Sequence, residues 1–238
     1  MQTNSQRLRG KIELVRPRLR QAAGEVWHHP RLGELFPELL VTVHSVIRAT
    51  VPTLTAAEQC ARARAAEDPV CAGMVEYLAA HAIEEKDHDE WTLDDLETLG
   101  VKREGVWKRI PSPAAAALVG VQYYWMRHVH PVAYLSYQAI MENPPSAEFL
   151  EQAVERTGLP REAFATQFFH ATVDPHHVAD FDRMVDSLPL TEWHHSILGV
   201  NAFQSVELLA QVYDDLLHRF ETKNRDGASL LFQTGNPF

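Results

Sequence analysis

Cysteine is scarce in this chain: among its 238 residues there are two, Cys60 and Cys71. Two thiols cannot build the disulfide framework of a small secreted domain, nor a zinc site made mainly of cysteine, so a reduced, cytoplasmic compartment is expected. The sequence also shows no uninterrupted apolar run of membrane-spanning length and no hydrophobic signal segment at its start. Association with a membrane is therefore not expected.

Positive charge is also in short supply. Lysine and arginine number 22 against 32 aspartate and glutamate residues, which gives a formal net charge of −10. Binding to nucleic acid or to an anionic membrane needs a positive face, so neither partner is expected. The basic stretch from Arg7 to Arg20 is the exception. Its interleaved apolar residues are typical of a solvated helix face.

The chain has no convincing stretch of strict apolar and polar alternation, which is the pattern of half-buried strands. Apolar residues instead recur at intervals of three and four, and proline and glycine separate the segments. No repeat or linker divides the sequence. These features predict an all-α fold in a single helical domain over residues 1–238, with residues 224–238 as a loosely ordered tail.

The proline and glycine punctuation also predicts the helix boundaries. Asp68, Pro69 and Gly100 mark the clearest helix, since they are a cap, a first residue and a stop. The predicted helices, in chain order, cover about Gln6–Trp27 (with Pro17 inside), Leu32–Ala65 (broken or bent at Pro37 and Pro52), Pro69–Leu99, Pro113–His130, Pro131–Asn143, Ser146–Thr157, Pro160–Ser187 and Thr191–Thr222.

The strongest chemical signal lies in the stretch FFHATVDPHH, residues 168–177. Its His170, Asp174 and His177 stand at positions i, i+4 and i+7, which share one face of a helix. Two imidazoles and a carboxylate converging from one helix suit a divalent metal such as iron or manganese. The surrounding residues are largely apolar, which favours metal ligation over a solvated polar face.

A second signal lies midway along the predicted helix Pro69–Leu99, where Glu85 and His88 stand at positions i and i+3. A lone Glu-x-x-His motif has little specificity, and an exposed acidic surface is the alternative. The motif gains weight from Asp174-x-x-His177, because helical bundles build dinuclear carboxylate sites from paired motifs of this kind.

A dinuclear site needs a further carboxylate from another helix. Glu142 is the best candidate because it follows the nearly uncharged run from Pro131 to Met141, although the pattern alone leaves an exposed helix end equally open. Aromatic and amide residues precede it on its segment and on the neighbouring one. They either belong to the core or line a substrate pocket: Tyr123, Tyr124, Trp125, Tyr134, Tyr137 and Gln138.

Together these motifs resemble the haem-oxygenase-like diiron oxidases and oxygenases, a family of seven-helix bundles on the scaffold of TenA and PqqC. The stretches HAIEEKDHDEWTLDDLETLG, IMENPP and FFHATVDPHH carry the resemblance, which covers roughly Trp27 to Glu221. It implies a non-haem diiron oxidoreductase that uses O₂, with two iron ions or, in their place, manganese. The implied ligands are Glu85, His88, Glu142, His170, Asp174 and His177.

The sequence departs from the family pattern at the first glutamate. Some members place that residue seven or more positions before its histidine, and here the seventh position back is His81. Glu84 is an alternative to Glu85 as the first glutamate ligand, and we prefer Glu85. His81 and His176 are assigned either to orienting the ligands or to packing.

The resemblance also implies the class of partner. Family substrates are amino acids, their derivatives or fatty acids, often in natural-product biosynthesis, so a small amino-acid-like molecule and O₂ are the expected partners. N-oxygenation, oxidative C–C cleavage and oxidative rearrangement are the expected reactions, and one member forms a nitrile from a tryptophan derivative. The sequence leaves open whether the chain is a monomer or a homodimer.

Three other functions compete with this interpretation. The first is a haem-binding or cofactor-independent enzyme on the same scaffold; its thiaminase branch uses a cysteine nucleophile, and neither Cys60 nor Cys71 lies where the resemblance would place it. The second is a ferritin-like bundle, which would need a glutamate before Glu85, with Glu58 the plausible donor, and has no counterpart of His170. The third is a metal store or interaction module without enzymatic activity.

Overall fold

The computed structural model describes residues 2–142 and 145–225, without the side chains of residues 173–176, 224 and 225. Side chains of Asp174 and His176, and nearly all of the tail expected at residues 224–238, therefore lie outside the described residues. The described part of the chain is helical and contains no strand. The expected all-α fold is confirmed.

Eleven α-helices and two short 3₁₀ helices make up the described chain. The 3₁₀ helices cover Pro131–Ala133 and Arg161–Phe164. The α-helices are α1 (Asn4–Trp27), α2 (Leu32–Ile47), α3 (Thr50–Arg62), α4 (Pro69–Glu84), α5 (His88–Thr98), α6 (Arg103–Trp107), α7 (Pro113–His128), α8 (Tyr134–Met141), α9 (Ala147–Thr157), α10 (Ala165–Ser187) and α11 (Glu192–Arg225).

Three helix starts follow the capping signals of the sequence. The Asp68 carboxylate accepts hydrogen bonds from the N–H groups of Val70 and Cys71 at the start of α4. The hydroxyls of Ser112 and Ser146 accept the corresponding bonds at the starts of α7 and α9. These side chains satisfy N–H groups that have no partner inside a helix.

Two predicted helices are divided in the structure. Nine helices have eleven residues or more among the described residues, rather than the seven expected of the bundle. The predicted helix Leu32–Ala65 breaks at Arg48 and Ala49, not at either proline. Pro52 lies in the first turn of α3, where its missing N–H would have no helical partner, and α2 continues past Pro37.

The second division, within the predicted helix Pro69–Leu99, is at the candidate site. Helix α4 ends at Glu84, α5 begins at His88, and Asp87 between them has a φ angle of +69°. This left-handed conformation is unfavourable for residues other than glycine, asparagine and aspartate. The turn places Glu85 at the end of one helix and His88 at the start of the next.

Helix α11 runs along most of the bundle and packs against α1, α7 and α8, while α3 packs against α4. The stretch Leu32–Arg62, covering α2 and α3, contains an 18-residue window with a mean hydropathy of 1.3 and could span a membrane by length and composition alone. Its side chains Leu35, Phe36, Leu40 and Leu54 are fully buried in the bundle. We therefore assign this stretch to the protein core.

The basic stretch of α1 is partly exposed, and three of its arginines pair with acids on other helices. Arg7 pairs with Glu192 at 2.8 Å between Nη2 and Oε2, and Arg9 pairs with Asp182 at 2.6 Å between Nη2 and Oδ1. Arg18 likewise pairs with Asp214 on α11. These acids lie far away in sequence, so the pattern of α1 alone could not reveal them.

Asp95 on α5 holds the start of α10. Its side chain is buried, and its Oδ2 atom accepts the N–H of Thr166 at 3.0 Å. Burial raises the pKa of the Asp95 carboxyl to about 6, although the hydrogen bonds from Thr166 oppose this effect. The bond fixes the end of α10 from which His170 projects.

We expect Asp87→Val to lower the free energy of unfolding by about 1–2 kcal/mol relative to Asp87→Asn, because valine fits the left-handed conformation worst. Asparagine keeps the size of aspartate and removes its charge, so it controls for electrostatic effects. Urea denaturation followed by circular dichroism measures the difference. Equal stability of the two variants would contradict the assigned backbone.

A second prediction concerns pH. The native-state pKa of Asp95 lies above its ordinary value of 3.8, so the native state binds the proton more tightly and this group costs stability as pH rises from about 4 to about 6. Asp95→Asn should therefore be more stable than the parent chain at pH 7, by up to about 3 kcal/mol, with the difference fading below pH ~4.

The neighbouring Asp94 provides the control for this experiment. Its side chain is 62% exposed and pairs with Arg103, so Asp94→Asn should change stability little at either pH. Unfolding by urea at several pH values measures both variants. A stability difference for Asp95→Asn that does not depend on pH would show that the Asp95 carboxyl does not titrate in this window.

Candidate metal centre

Four helix ends or faces bring the candidate ligands together. Glu85 follows the last residue of α4, His88 begins α5, Glu142 follows α8, and His170 and His177 lie on α10. Glu85 and His88 are buried, and the side chains of Glu142 and His177 are 10% and 13% exposed. The structure thus gathers five of the six residues that the sequence singles out.

One group of ligand atoms consists of Glu85, His88 and His170. The Nδ1 atom of His88 lies 3.0 Å from Glu85 Oε2 and 3.2 Å from His170 Nε2. All three residues offer a ligand atom within 4.8 Å of the others. A carboxylate oxygen with two imidazole nitrogens is a donor set that suits iron, manganese or zinc.

The second group consists of His81, Glu85 and His177, which also offer ligand atoms within 4.8 Å of one another. The Nε2 atom of His81 lies 3.8 Å from Glu85 Oε1 and 3.0 Å from Glu142 Oε1. Glu85 therefore belongs to both groups, with a different oxygen facing each. A carboxylate placed in this way can bridge two metal ions.

The hydrogen bond of His170 fixes which ring nitrogen can bind a metal. Its Nδ1 atom lies 2.8 Å from the carbonyl oxygen of Thr166, so Nδ1 carries the proton and donates it. The lone pair is then on Nε2, which faces His88 and Glu85. Metal-ligating histidines are typically oriented in this way, with the other ring N–H bound to a carbonyl or carboxylate.

His81 has the same arrangement. Its Nδ1 atom lies 3.3 Å from Glu84 Oε2, which leaves Nε2 facing Glu85 and Glu142. Burial lowers the pKa of His81, but the hydrogen bond and charge of Glu142, with the charge of Glu85, outweigh burial and raise the pKa. Two carboxylates around one imidazole nitrogen favour a cation at that point, either a proton or a metal ion.

Charge compensation also acts on Glu85. Burial raises its pKa, but the hydrogen bond and charge of His88, followed by the charges of His81 and His170, outweigh burial and lower the pKa. The Glu85 carboxylate is therefore ionised although it is buried. The competing Glu84 is 53% exposed, and its Oε2 contacts His81 and His177 from the solvent side.

The two carboxylate oxygens of Glu142 differ in their hydrogen bonds. Its Oε1 accepts a hydrogen bond from Gln138 Nε2 at 2.7 Å. Its Oε2 is buried and has no hydrogen-bond partner among the described residues. Buried carboxylate oxygens are rarely left without a partner. The donor set, the histidine tautomers and this oxygen all fit a bound metal pair.

The sequence assigns His81 either to orienting the ligands or to packing. In the structure it lies among the candidate ligands. The signal was available: His81, Glu85 and His88 stand at positions i, i+4 and i+7, the same spacing as His170, Asp174 and His177. The described members of the two triplets lie together at the site: His81, Glu85, His88, His170 and His177.

A second histidine cluster, Asp68, His130 and His194, also has ligand atoms within 4.8 Å of one another. Here Nδ1 of His130 accepts the N–H of Val132 at 3.1 Å, and Nδ1 of His194 accepts the N–H of Thr191 at 3.1 Å. The proton of each neutral ring is thus on Nε2, and the lone pair of Nδ1 is already used in accepting a hydrogen bond. Neither ring therefore has a free lone pair for a metal ion. We interpret this cluster as structural.

A cavity of about 640 Å³ adjoins the metal centre. Its wall includes His81, Glu85, Glu142 and His170, together with mainly apolar side chains of α1, α2, α3, α8 and α11. Of the aromatic and amide residues noted in the sequence, those on α8 line the cavity and those on α7 do not: Tyr134, Tyr137 and Gln138 are on its wall. A cavity of this size accommodates a small-molecule substrate.

Two amide oxygens on the cavity wall, Gln138 Oε1 and Gln167 Oε1, are buried without a hydrogen-bond donor among the described residues. The orientation of the Gln138 amide is fixed, because its Nε2 donates to Tyr77 Oη at 2.8 Å and to Glu142. No cysteine lies on the described wall of the cavity. Burial raises the pKa of the Cys71 thiol to about 12, so this thiol is a poor nucleophile.

Comparison with solved structures gives similar folds at low sequence identity. A domain of unknown function with a heme oxygenase-like fold from Shewanella denitrificans OS217 is 18% identical, with a TM-score of 0.78 and coverage of 93% of this chain and 95% of that chain. A TenA homolog from Pseudomonas syringae pv. tomato str. DC3000 is 10% identical, with a TM-score of 0.66 and coverage of 90% and 92%. A TenA homologue from P. horikoshii OT3 is 14% identical, with a TM-score of 0.57 and coverage of 87% and 98%.

Comparison with curated protein sequences gives no match. Residues 40–206, however, match a family described as iron-containing redox enzymes. This match spans well over half of the chain, and the solved structures agree with it in fold. The resemblance stated from the sequence is confirmed at the level of family and fold. The chain belongs to the family of iron-containing redox enzymes and has a heme-oxygenase-like, all-α fold.

Proposed function

We propose that this chain is a non-haem diiron oxidoreductase that uses O₂ to oxidise a small, amino-acid-like molecule. The observation that carries the proposal is the sharing of buried Glu85 between two groups of ligand atoms, each with two histidines. The proposed ligands are His81, Glu85, His88, Glu142, His170, Asp174 and His177. Asp174 enters this set from its spacing in the sequence.

A pair of iron ions, or manganese in their place, would supply the electrons and the open coordination positions for O₂ chemistry. The chain supplies the setting. Glu85 and Glu142 contribute negative charge, and Thr166 and Glu84 hold His170 and His81 with their lone pairs facing the centre. The apolar wall excludes water from the space where substrate would lie.

Gln138 links the centre to the cavity. Its amide N–H groups hold Glu142 and the hydroxyl of Tyr77, and its oxygen is buried without a donor among the described residues. In the proposed complex a substrate N–H or O–H group donates to this oxygen and lies beside Glu142. This supports an amino-acid-like substrate, for which N-oxygenation, oxidative C–C cleavage and rearrangement, including nitrile formation, are the candidate reactions.

The cofactor-independent alternative has less support. It rests on TenA homologues that share the fold at 10% and 14% identity, and the described cavity wall offers no thiol nucleophile. The ferritin-like alternative needs Glu58 at the metal centre, but Glu58 pairs with Arg62 on α3 and does not line the cavity.

We expect anaerobic loading to give two Fe(II) per chain without a Soret band, and His170→Ala/His177→Ala to lose both the metal pair and O₂ consumption. Iron analysis and stopped-flow absorbance after O₂ mixing measure these properties. His194→Gln is the matched control, since the geometry of its cluster predicts an unchanged iron content. Full turnover by the double variant, or a Soret band in the parent chain, would end the proposal.

A further prediction separates the roles of neighbouring residues. Glu85→Gln should disrupt both iron sites, because one carboxylate serves both, and His81→Ala should bring iron content down to about one ion per chain. Glu84→Gln should retain two, since a glutamine oxygen can still accept the His81 N–H. Iron content with Mössbauer spectra distinguishes the three. Retention of two ions by His81→Ala with loss in Glu84→Gln would exchange the roles assigned to these residues.

A further inference from the structure

Arg16 and Arg20 differ from the other arginines of α1. Arg7, Arg9 and Arg18 bind acids on α10 and α11, but Arg16 has no such cross-helix partner among the described residues. It pairs with Glu13, one turn earlier on its own helix, at 2.6 Å between Nε and Oε1. Arg16 therefore does not serve to attach α1 to the bundle.

The Arg16 side chain is only 17% exposed and lies on the wall of the cavity. Its Nε atom is buried against Glu13 Oε1, and the two make an ion pair. The terminal nitrogens Nη1 and Nη2 have no hydrogen-bond partner among the described residues. These terminal N–H groups can donate to an acceptor that a ligand brings.

The remaining charges of the cavity have one sign. Apart from Glu85 and Glu142 of the metal centre, the carboxylates of the described chain are absent from its wall, whereas Arg16 and Arg20 are both present. This local balance contrasts with the net charge of −10 for the whole chain. The rest of the wall is mostly apolar, including Leu39, Val46 and Leu209.

Arg20 is a solvent-exposed residue of the cavity wall. Four wall residues have exposed side chains, namely Arg20, His28, Met141 and Ser146. Arg20 is 69% exposed and lies 3.5 Å from Glu13, measured between Nη2 and Oε2. An anion entering from solvent would thus meet Arg20 first and Arg16 within the cavity.

We propose that Arg16 binds the carboxylate of the substrate, whose mainly apolar remainder lies in the cavity, and that Glu13 competes with this carboxylate for the guanidinium. Arginine suits this role because its planar fork binds carboxylates through two parallel hydrogen bonds. The inference deepens the proposed function by naming one substrate group and the residue that recognises it. Binding itself requires no metal, so the inference can be tested separately.

The probes are 4-phenylbutyrate and 4-phenylbutyramide, which have nearly the same shape and differ in the charge of one group. Isothermal titration calorimetry on the metal-free protein should show the acid binding at least tenfold more tightly than the amide. Arg16→Gln should weaken binding of the acid by about 10- to 100-fold and leave the amide within about threefold, as expected for the loss of hydrogen bonds to a charged group.

Two further variants exclude a merely structural role for Arg16. Glu13→Gln should tighten binding of the acid, because the competing carboxylate is removed, and a packing defect would not do so. Arg9→Gln, on the same helix but paired with Asp182, should leave binding of both probes unchanged. Circular dichroism checks that every variant is folded.

Equal binding of the two probes, binding of neither, or an equal loss of both in Arg16→Gln would overturn the inference. Weaker binding of the acid in Glu13→Gln would overturn it as well. The outcome is independent of the iron experiments. Selective binding of the acid in a chain that fails to hold two iron ions would support Arg16 as a carboxylate-binding residue and refute only the diiron function.

Discussion

A buried, ionised Glu85 surrounded by imidazoles is the constraint on which the rest of the structure depends. A carboxylate removed from water is destabilising unless positive charge and hydrogen bonds compensate it. Here His81, His88 and His170 provide that compensation. The rings of His81 and His170 are held by hydrogen bonds to Glu84 and Thr166. His88 is the first residue of α5 and lies next to Glu85. The proposed metal pair would satisfy all of these atoms at once.

The geometry of the helices follows from this requirement. An unbroken helix from Pro69 to Leu99 would carry Glu85 and His88 on one face of a single helix. The left-handed turn at Asp87 instead ends one helix and starts another, so that Glu85 and His88 meet inside the bundle. On the opposite side, Asp95 holds the start of α10 and with it the position of His170. Local backbone conformation and one buried carboxyl thus determine the shape of the site.

The cavity extends from the metal centre to α1, the helix whose side-chain contacts the sequence does not predict. Its basic residues divide into two groups: some bind acids on α10 and α11, and Arg16 and Arg20 reach the cavity. The same sequence pattern therefore serves stability at some positions and recognition at others. Only the neighbours of each side chain distinguish the two. An apolar space with positive charge on one wall and acceptor amides near the metal centre restricts the kind of molecule that can enter.

Periodicity and capping residues are local properties, so the sequence determined the all-α fold, most helix starts and the candidate ligands His170 and His177. The i, i+3 spacing of Glu85 and His88 was visible for the same reason. The division at Asp87 was not, because a positive φ at aspartate carries no distinct pattern and depends on what surrounds it. The partners of the α1 arginines and the tautomer of His130 were decided by tertiary structure alone. Each depends on atoms brought close by residues distant in the chain, and spacing along one helix cannot reveal those distances.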